Sequence, residues 1–218
     1  MEAAPHNNAF AEMTHKISDS FRMYGIKSVT MDDLAHSLGI SKKTLYQHFS
    51  DKKDVVRKVI DFQIRQQQDD MQQVINQKHW NAIDQLFQLS RVISSHLKMV
   101  NPSMIYDLKK HYLPIWEHIL DFKRKTVYDI ILKNSHQGIR EGLYCQDQNY
   151  MIISRAYVNQ LEHYTVENHN LQDFPPEEIF NTLVIYHIRG VSNSRGIAYL
   201  EKLMQKNKKH AIVKPLHE

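Results

Sequence analysis

Between Lys42 and His48 the sequence places six polar side chains around one apolar residue, Leu45. Their side chains can all donate hydrogen bonds, and a helix that presents them together can bind the phosphates and base edges of DNA. The six residues are Lys42, Lys43, Thr44, Tyr46, Gln47 and His48. The chemistry that this segment offers is therefore nucleic-acid binding rather than the making or breaking of bonds.

The flanking residues predict two short helices joined by a tight turn. Thr30 can cap a helix over residues 31–38, because its hydroxyl accepts hydrogen bonds from first-turn amides, and Asp33 completes a capping-box pattern. Gly39 follows where the chain must leave that helix, and Ser41 can cap the next one. A helix-turn-helix has this arrangement, and its second helix enters the major groove of DNA. The alternative is an ordinary helical hairpin with solvated lysines.

The segment LAHSLGISKKTLYQHFSDKKDVV resembles the DNA-binding part of the TetR (tetracycline repressor) family of bacterial regulators. The matching residues are Thr30, Ala35, Gly39, Ser41, Thr44, Leu45, Tyr46, His48, Phe49 and Lys52. The resemblance implies that three residues contact phosphate, namely Tyr46, His48 and Lys52. It implies that four others lie near bases, namely Lys42, Lys43, Thr44 and Gln47. Together with Thr30 and Ser41, these seven residues are the predicted DNA-binding residues. Val55 replaces the family's usual leucine, and the similarity covers about the first quarter of the chain.

Local charge supports DNA binding better than the total charge does. The formal net charge is +4, but residues 1–55 hold seven Lys or Arg against seven Asp or Glu. The excess lies in the tail, where residues 201–218 hold five lysines against two glutamates. Residues 41–53 nevertheless carry four lysines against one aspartate, a local charge of +3. We therefore expect salt-dependent binding through this patch.

Composition predicts an all-α fold, because only six glycines and six prolines interrupt 218 residues and the apolar residues recur at helical spacing. We predict an N-terminal three-helix helix-turn-helix domain over residues 1–55. A helix joins it to a larger C-terminal helical domain over residues 56–218, to which the resemblance assigns ligand binding and dimerisation. With one cysteine, Cys145, no visible signal peptide and no apolar segment long enough for a membrane, we expect a cytoplasmic protein.

The apolar patterns predict the individual helices. A first helix covers residues 8–23, and a long helix from about Asp51 connects the two domains. Further helices are predicted over residues 80–99, 103–111, 114 to 138 or 142, 148–167 and 175–189. A loop is expected over residues 143–147, and the lysine-rich end from Leu203 is predicted to be a solvated, fraying tail.

The predicted helices 148–167 and 175–189 are apolar almost all the way around, so each needs two packing partners. A homodimer in which both copies contribute these helices to a four-helix interface would supply them, and the resemblance implies the same. A thick monomeric core is the alternative. The predicted interface residues are Ile153, Tyr157, Leu161, Tyr164, Ile179, Phe180, Leu183, Val184 and His187.

A set of aromatic, methionine and histidine residues indicates a pocket for a moderately apolar small molecule, although such residues also form ordinary cores. The predicted pocket residues are Phe87, Met104, Tyr106, His111, Tyr112, Trp116, Phe122 and Tyr157. The fourteen histidines show no spacing typical of a metal site, and Cys145 has no catalytic partner identifiable from sequence. We therefore predict no catalytic residues, no metal and no cofactor.

These observations predict a dimeric transcriptional regulator that is not an enzyme. By default it would repress, binding a pseudo-palindromic operator in double-stranded DNA until a small-molecule effector releases it. One alternative keeps the DNA-binding part and makes the C-terminal domain a protein-interaction module. The other, from a different class, is an all-helical enzyme that acts on a small substrate.

Overall fold

A computed structural model describes residues 5–97, 101–166 and 174–210. Within these ranges the chain forms eleven α-helices, one π-helical segment and no named strand. The helices are α1 (Pro5–Tyr24), α2 (Met31–Leu38), α3 (Lys42–His48), α4 (Lys52–Ile75), α5 (Ala82–Leu97), α6 (Pro102–His111), α7 (Leu113–Phe122), α8 (Tyr128–Arg140), α9 (Tyr150–Val166), α10 (Pro176–Val191) and α11 (Ser194–His210). The π-helical segment is Lys123–Val127, between α7 and α8. The all-α prediction is confirmed.

The chain divides into two compact units. The first unit comprises Met1–Gln72 and Val92–Lys125, and the second comprises Gln73–Arg91 and Thr126–Glu218. Each division falls inside a helical element: α4, α5 or the π-helical segment. The predicted domains, residues 1–55 and 56–218, stay a prediction. In the described ranges no helix has both the length and the apolar content that crossing a bilayer requires.

The first unit is built around apolar side chains that repeat at helical spacing. Ile17 and Phe21 lie four residues apart on α1, and their exposed fractions are 0% and 1%. They belong to a core that also contains Leu34 of α2 and Leu45 of α3, neither of which is exposed at all. The α1 helix ends at Gly25, whose φ of 81° lies in the left-handed region that glycine tolerates best. This core positions the helix-turn-helix.

The second unit depends on a buried tyrosine in the loop between α8 and α9. Tyr144 is 1% exposed, and its hydroxyl donates to Asn134 Oδ1 over 3.3 Å. The Asn134 amide in turn donates to the Ala82 carbonyl over 2.8 Å, which ties α8 to the start of α5. The Tyr144 ring lies against the backbone of Gly138 on α8, where a side chain would not fit. Burial raises the pKa of the Tyr144 hydroxyl, so it remains a donor.

Two elements differ from the expectations. The lysine-rich end was expected to fray from Leu203, but α11 continues to His210, and Leu200 is completely buried. Ile197, Leu200 and Leu203 recur at helical spacing, so the sequence carries a signal for this helix, which then continues through the lysine-rich residues. Residues 211–218 of the predicted tail lie outside the described residues. The single helix predicted from residue 114 onward is interrupted by the π-helical segment.

The contact between Gly138 and Tyr144 predicts an asymmetric response of two glycines to alanine. A Cβ atom at Gly138 would lie 2.1 Å from the Tyr144 ring, whereas one at Gly190, on α10, would meet nothing within 4 Å. We expect Gly138→Ala to lower the free energy of unfolding by about 1–3 kcal/mol or more, as overpacking does. Gly190→Ala should be neutral or slightly stabilising, because alanine favours helix. Urea unfolding followed by circular dichroism measures both, and equal stability of the two variants would contradict the packing described.

Candidate nucleic-acid interface

The α2 helix begins with a reciprocal capping box. The Asp33 amide donates to Thr30 Oγ1 over 3.2 Å, and the Thr30 amide donates to Asp33 Oδ2 over 2.8 Å. The Thr30 hydroxyl also donates to Asp33 Oδ2, over 2.7 Å. These two donors, the hydroxyl first, lower the pKa of the Asp33 carboxyl. The predicted cap is present, and it fixes where α2 starts.

The turn between α2 and α3 requires a left-handed residue, and Gly39 supplies it with a φ of 66°. The Gly39 amide donates to the His36 carbonyl and the Ile40 amide donates to the Ala35 carbonyl, both over 3.0 Å. These bonds provide donors for carbonyls of the last turn of α2, which have no partner within the helix. Ala35 is 4% exposed, so a small side chain lies where α2 is buried. The turn between the two helices therefore takes only three residues, 39–41.

The α3 helix starts at a serine cap and is held to the core by two residues. The Thr44 amide donates to Ser41 Oγ over 3.0 Å, and the two hydroxyl oxygens are 2.8 Å apart. Leu45 is fully buried, and Phe49, which ends the helix, is 1% exposed. A helix of seven residues is too short to be stable alone. Its position therefore depends on these caps and on this buried face.

The opposite face of α3 carries the predicted DNA-binding side chains. Lys42, Lys43, Tyr46, Gln47 and His48 are exposed, and Thr44 is partly exposed. Lys42 with Tyr46, and Lys43 with Gln47, lie four residues apart and so share a side of the helix. Lys42 Nζ pairs with Asp32 Oδ2 of α2 over 2.6 Å, and both side chains stay largely exposed. The structure thus leaves these six side chains accessible, with Lys43 and Gln47 on the side of α3 opposite Leu45.

Lys52 has a different environment from the lysines of α3. Its Nζ donates to the Lys27 carbonyl over 2.9 Å, and burial lowers the pKa of its ammonium despite the nearby Asp107 and Asp33 carboxylates. The side chain thus ties the start of α4 to the chain that precedes α2. Its contact with phosphate stays a prediction.

Two contacts of α6 with the chain before α2 were missed by the sequence analysis. The buried Asp107 carboxylate accepts a hydrogen bond from the Lys27 amide over 2.8 Å. The Asn101 amide donates to the Arg22 carbonyl, near the end of α1, over 3.0 Å. The partners are about 80 residues apart in sequence. No local pattern could have paired them, since each contact exists only after α6 has packed within the first unit.

Lys58 of α4 is a third missed residue of this region. Its Nζ donates to the His48 carbonyl over 2.7 Å and lies 5.5 Å from the centre of the Phe49 ring. A cation at the carboxyl end of a helix is favourable because the last carbonyls carry partial negative charge. Lys58 therefore holds the end of α3, and Asp54 in turn pairs with Lys58 over 3.0 Å.

The predicted pocket residues are divided between the two units. Met104, Trp116 and Phe122 are buried in the first unit, where Tyr112 is partly exposed and Tyr106 and His111 are exposed. Phe87 and Tyr157 are buried in the second unit. The pocket stays a prediction. Within the part of the chain that the structure describes, no three His, Cys, Asp or Glu side chains are grouped so that they could hold a metal ion.

Most residues predicted at the dimer interface lie inside the chain's own fold. The buried ones are Tyr157, Leu161, Phe180, Leu183, Val184 and His187. Ile153 and Ile179 are partly exposed, and the side chain of Tyr164 lies outside the described residues. The rings of Tyr157 and His187 stack with centroids 4.0 Å apart, so they pack α9 against α10. Burial lowers the pKa of His187 to about 4, which keeps this imidazole neutral at physiological pH.

Comparison with known proteins identifies relatives among DNA-binding regulators. The model of the family of bacterial regulatory proteins named after tetR matches residues 18–59, which contain α2 and α3. An uncharacterized HTH-type transcriptional regulator of Bacillus subtilis (strain 168), YvaF, is 28% identical over 102 residues. The match covers 46% of this chain and 54% of YvaF. The chain thus matches about half the length of this curated relative.

Solved structures of low sequence identity share the fold. A transcriptional regulator from Cytophaga hutchinsonii has a TM-score of 0.70 at 16% identity, with 84% of this chain and 98% of that chain covered. SCO4454, a TetR-family transcriptional regulator from Streptomyces coelicolor, has a TM-score of 0.66 at 20% identity, with 86% and 97% covered. A gamma-butyrolactone receptor described as ArpA-like has a TM-score of 0.66 at 16% identity, with 94% and 98% covered.

The capping box predicts how acid affects the stability of the first unit. Because the folded pKa of Asp33 lies below the unfolded value of about 3.9, the cap stabilises the fold above that pH. Its contribution is lost as the pH falls from about 4 through the folded pKa. Asp33→Asn should therefore show a smaller loss of stability on acidification than the unmodified chain, in urea unfolding measured across this range.

A matched control for this experiment is Asp69→Asn, which removes an exposed carboxylate from α4. That variant should keep the acid dependence of the unmodified chain. If Asp33→Asn and Asp69→Asn lose stability equally on acidification, the capping box does not set the pH dependence.

Proposed function

We propose, from the match of residues 18–59 to the tetR family of bacterial regulatory proteins, that this chain is a repressor that binds an operator as a homodimer and is released by a small-molecule effector. The observation that carries the proposal is the helix-turn-helix of α2 and α3. Its caps and glycine turn place Lys43, Tyr46 and Gln47 on the exposed side of a short helix. Such a surface suits the major groove, where side chains reach base edges.

The side chains of α3 divide into two kinds of contact. Lysine ammonium groups and hydroxyls bind phosphate oxygens, which position the protein without reading sequence. A glutamine amide can bond to adenine through two hydrogen bonds, which makes Gln47 the residue best suited to base recognition. In a two-fold symmetric dimer the two α3 helices would enter successive major grooves about 34–36 Å apart. A pseudo-palindromic operator is the expected target.

The proposed dimer uses the outward faces of α9 and α10. Met151 and Ile152 on α9 are 59% and 64% exposed, and Tyr186 on α10 is 73% exposed. Ala156, four residues after Ile152, is also exposed, so an apolar stripe follows the outside of α9. Exposed apolar side chains on two adjacent helices favour a four-helix contact with a second copy. The buried residues of α9 and α10 would hold these two helices in place by packing within the chain's own core.

An effector would act by binding one conformation of the dimer better than the other, since a ligand shifts an equilibrium only by its differential affinity. The structural relative described as a gamma-butyrolactone receptor supports a small-molecule ligand. A DNA-binding role also supports a location in the cytoplasm. We propose no enzymatic role, and turnover of a small compound by the purified chain would contradict this.

The first test is binding to DNA selected from a genomic pool. Tyr46→Phe removes a single hydroxyl, so we expect affinity for all sequences to fall severalfold, by about 0.5–1.5 kcal/mol. Gln47→Ala should relax the base preference at one position of each half-site, by about 1–3 kcal/mol. Fluorescence anisotropy with operator and mismatched duplexes separates the two effects.

Matched controls replace the same residue types at exposed positions away from α3. They are Tyr106→Phe on α6 and Gln68→Ala on α4, and both should bind DNA like the unmodified chain. Unchanged affinity and unchanged base preference in both α3 variants would refute the proposed role of this helix.

The second test concerns the dimer. Ile152→Lys places a charge in the proposed apolar contact, so we expect a monomer by light scattering and weaker operator binding, because one half-site is lost. Leu113→Lys, at a residue of α7 that is 53% exposed, is the control and should remain a dimer. A dimer that persists in Ile152→Lys would show that this face is not the interface.

A further inference from the structure

A cavity of about 280 Å³ lies beside α8 in the second unit. Its walls include Ile75 at the end of α4, Gln85 of α5, and Ile130, Lys133 and Arg140 of α8. We call it the α8 cavity. It shares no residue with the predicted pocket. Its volume is just below the range of about 300–1,000 Å³ that is typical of small-molecule sites, so only a small ligand would fit.

Gln85 is the unusual side chain in this wall. It is only 6% exposed, and it lines the α8 cavity. The neighbouring amides of the wall are engaged: Asn134 donates to the Ala82 carbonyl and Gln137 donates to Glu141 Oε1, each over 2.8 Å. Buried polar groups are hydrogen-bonded in the great majority of cases. The Gln85 amide can therefore donate to or accept from an occupant of the cavity.

The two cationic side chains that line the α8 cavity indicate that a ligand bound there would carry a negative charge. Lys133 and Arg140 lie seven residues apart and so on one side of α8. Among the described residues, neither forms an ion pair. The carboxylate of Glu141, the residue that follows α8, already accepts hydrogen bonds from the Ala82 amide over 2.8 Å and from Gln137. A guanidinium and an ammonium at one cavity favour an anion, and arginine can bind a carboxylate or phosphate through two parallel hydrogen bonds.

We propose that the α8 cavity binds a small organic anion. Lys133 and Arg140 hold its carboxylate or phosphate group, and the Gln85 amide bonds to a polar atom of the same ligand. Its short apolar body packs against Ile75 and Ile130. Binding at this site does not depend on the proposed function, but a role for the anion in releasing DNA rests on it.

The test uses three probes with one apolar chain and different head groups: hexanoate, hexyl phosphate and hexanol. Each is titrated into the full chain by calorimetry, with saturation-transfer NMR as a second measure of binding. We expect saturable binding of at least one anion and binding of hexanol at least about tenfold weaker, because the alcohol lacks the charge-assisted bonds. Comparison of the two anions shows which head group the site prefers.

Substitutions of residues that line the α8 cavity test whether the anion binds there. Lys133→Gln changes an exposed side chain and Gln85→Leu replaces a buried amide by an apolar group of similar size, so both should fold and both should weaken anion binding by about tenfold. Lys202→Gln, at an exposed position of α11, is the matched control and should bind normally. No saturable binding of either anion, or unchanged binding in Lys133→Gln, overturns the proposal. Failure of the proposed function would appear separately, as absence of DNA binding.

Discussion

The burial of one face of α3 is the constraint on which the proposed recognition surface depends. A seven-residue helix has little stability of its own, so Leu45 and Phe49 must hold it against the first unit's core. Once these two side chains are inside, the helical repeat leaves Lys43, Tyr46 and Gln47 outside. The side chains that suit DNA are thus positioned by residues that would never touch it.

Long-range contacts keep this helix pair in place within the first unit. Lys52 bonds to the Lys27 carbonyl and Asp107 to the Lys27 amide, so one residue before α2 is held from both α4 and α6. Buried charged groups are costly unless they are bonded, and Asp107 is bonded. A change in the position of α6 would therefore act on the chain that leads into the capping box. The match of residues 18–59 to a family of bacterial regulatory proteins covers α2 and α3, and these contacts identify the atoms through which α6 meets the chain before α2.

In the second unit, α9 and α10 each have one buried face and one exposed face. Tyr157 and His187 stack inside, while Ile152 and Tyr186 lie outside. A helix that is apolar all the way around must have two partners, and here the first partner is the chain itself. The α8 cavity of this unit is lined by polar and aliphatic side chains rather than by aromatic residues.

Local sequence patterns predict the helix-turn-helix, the all-α fold and the extent of α3, because caps, turn glycines and helical spacing act over three or four residues. The expected cap at Thr30, turn at Gly39 and cap at Ser41 are all present. The half-buried state of Lys52, the hydrogen bond of Asp107 to the Lys27 amide and the place of Gln85 in the α8 cavity depend on helices distant in sequence, so the sequence could not predict them. The tertiary structure also decided which faces of α9 and α10 are buried, because two apolar faces of one helix look alike until a neighbour covers one.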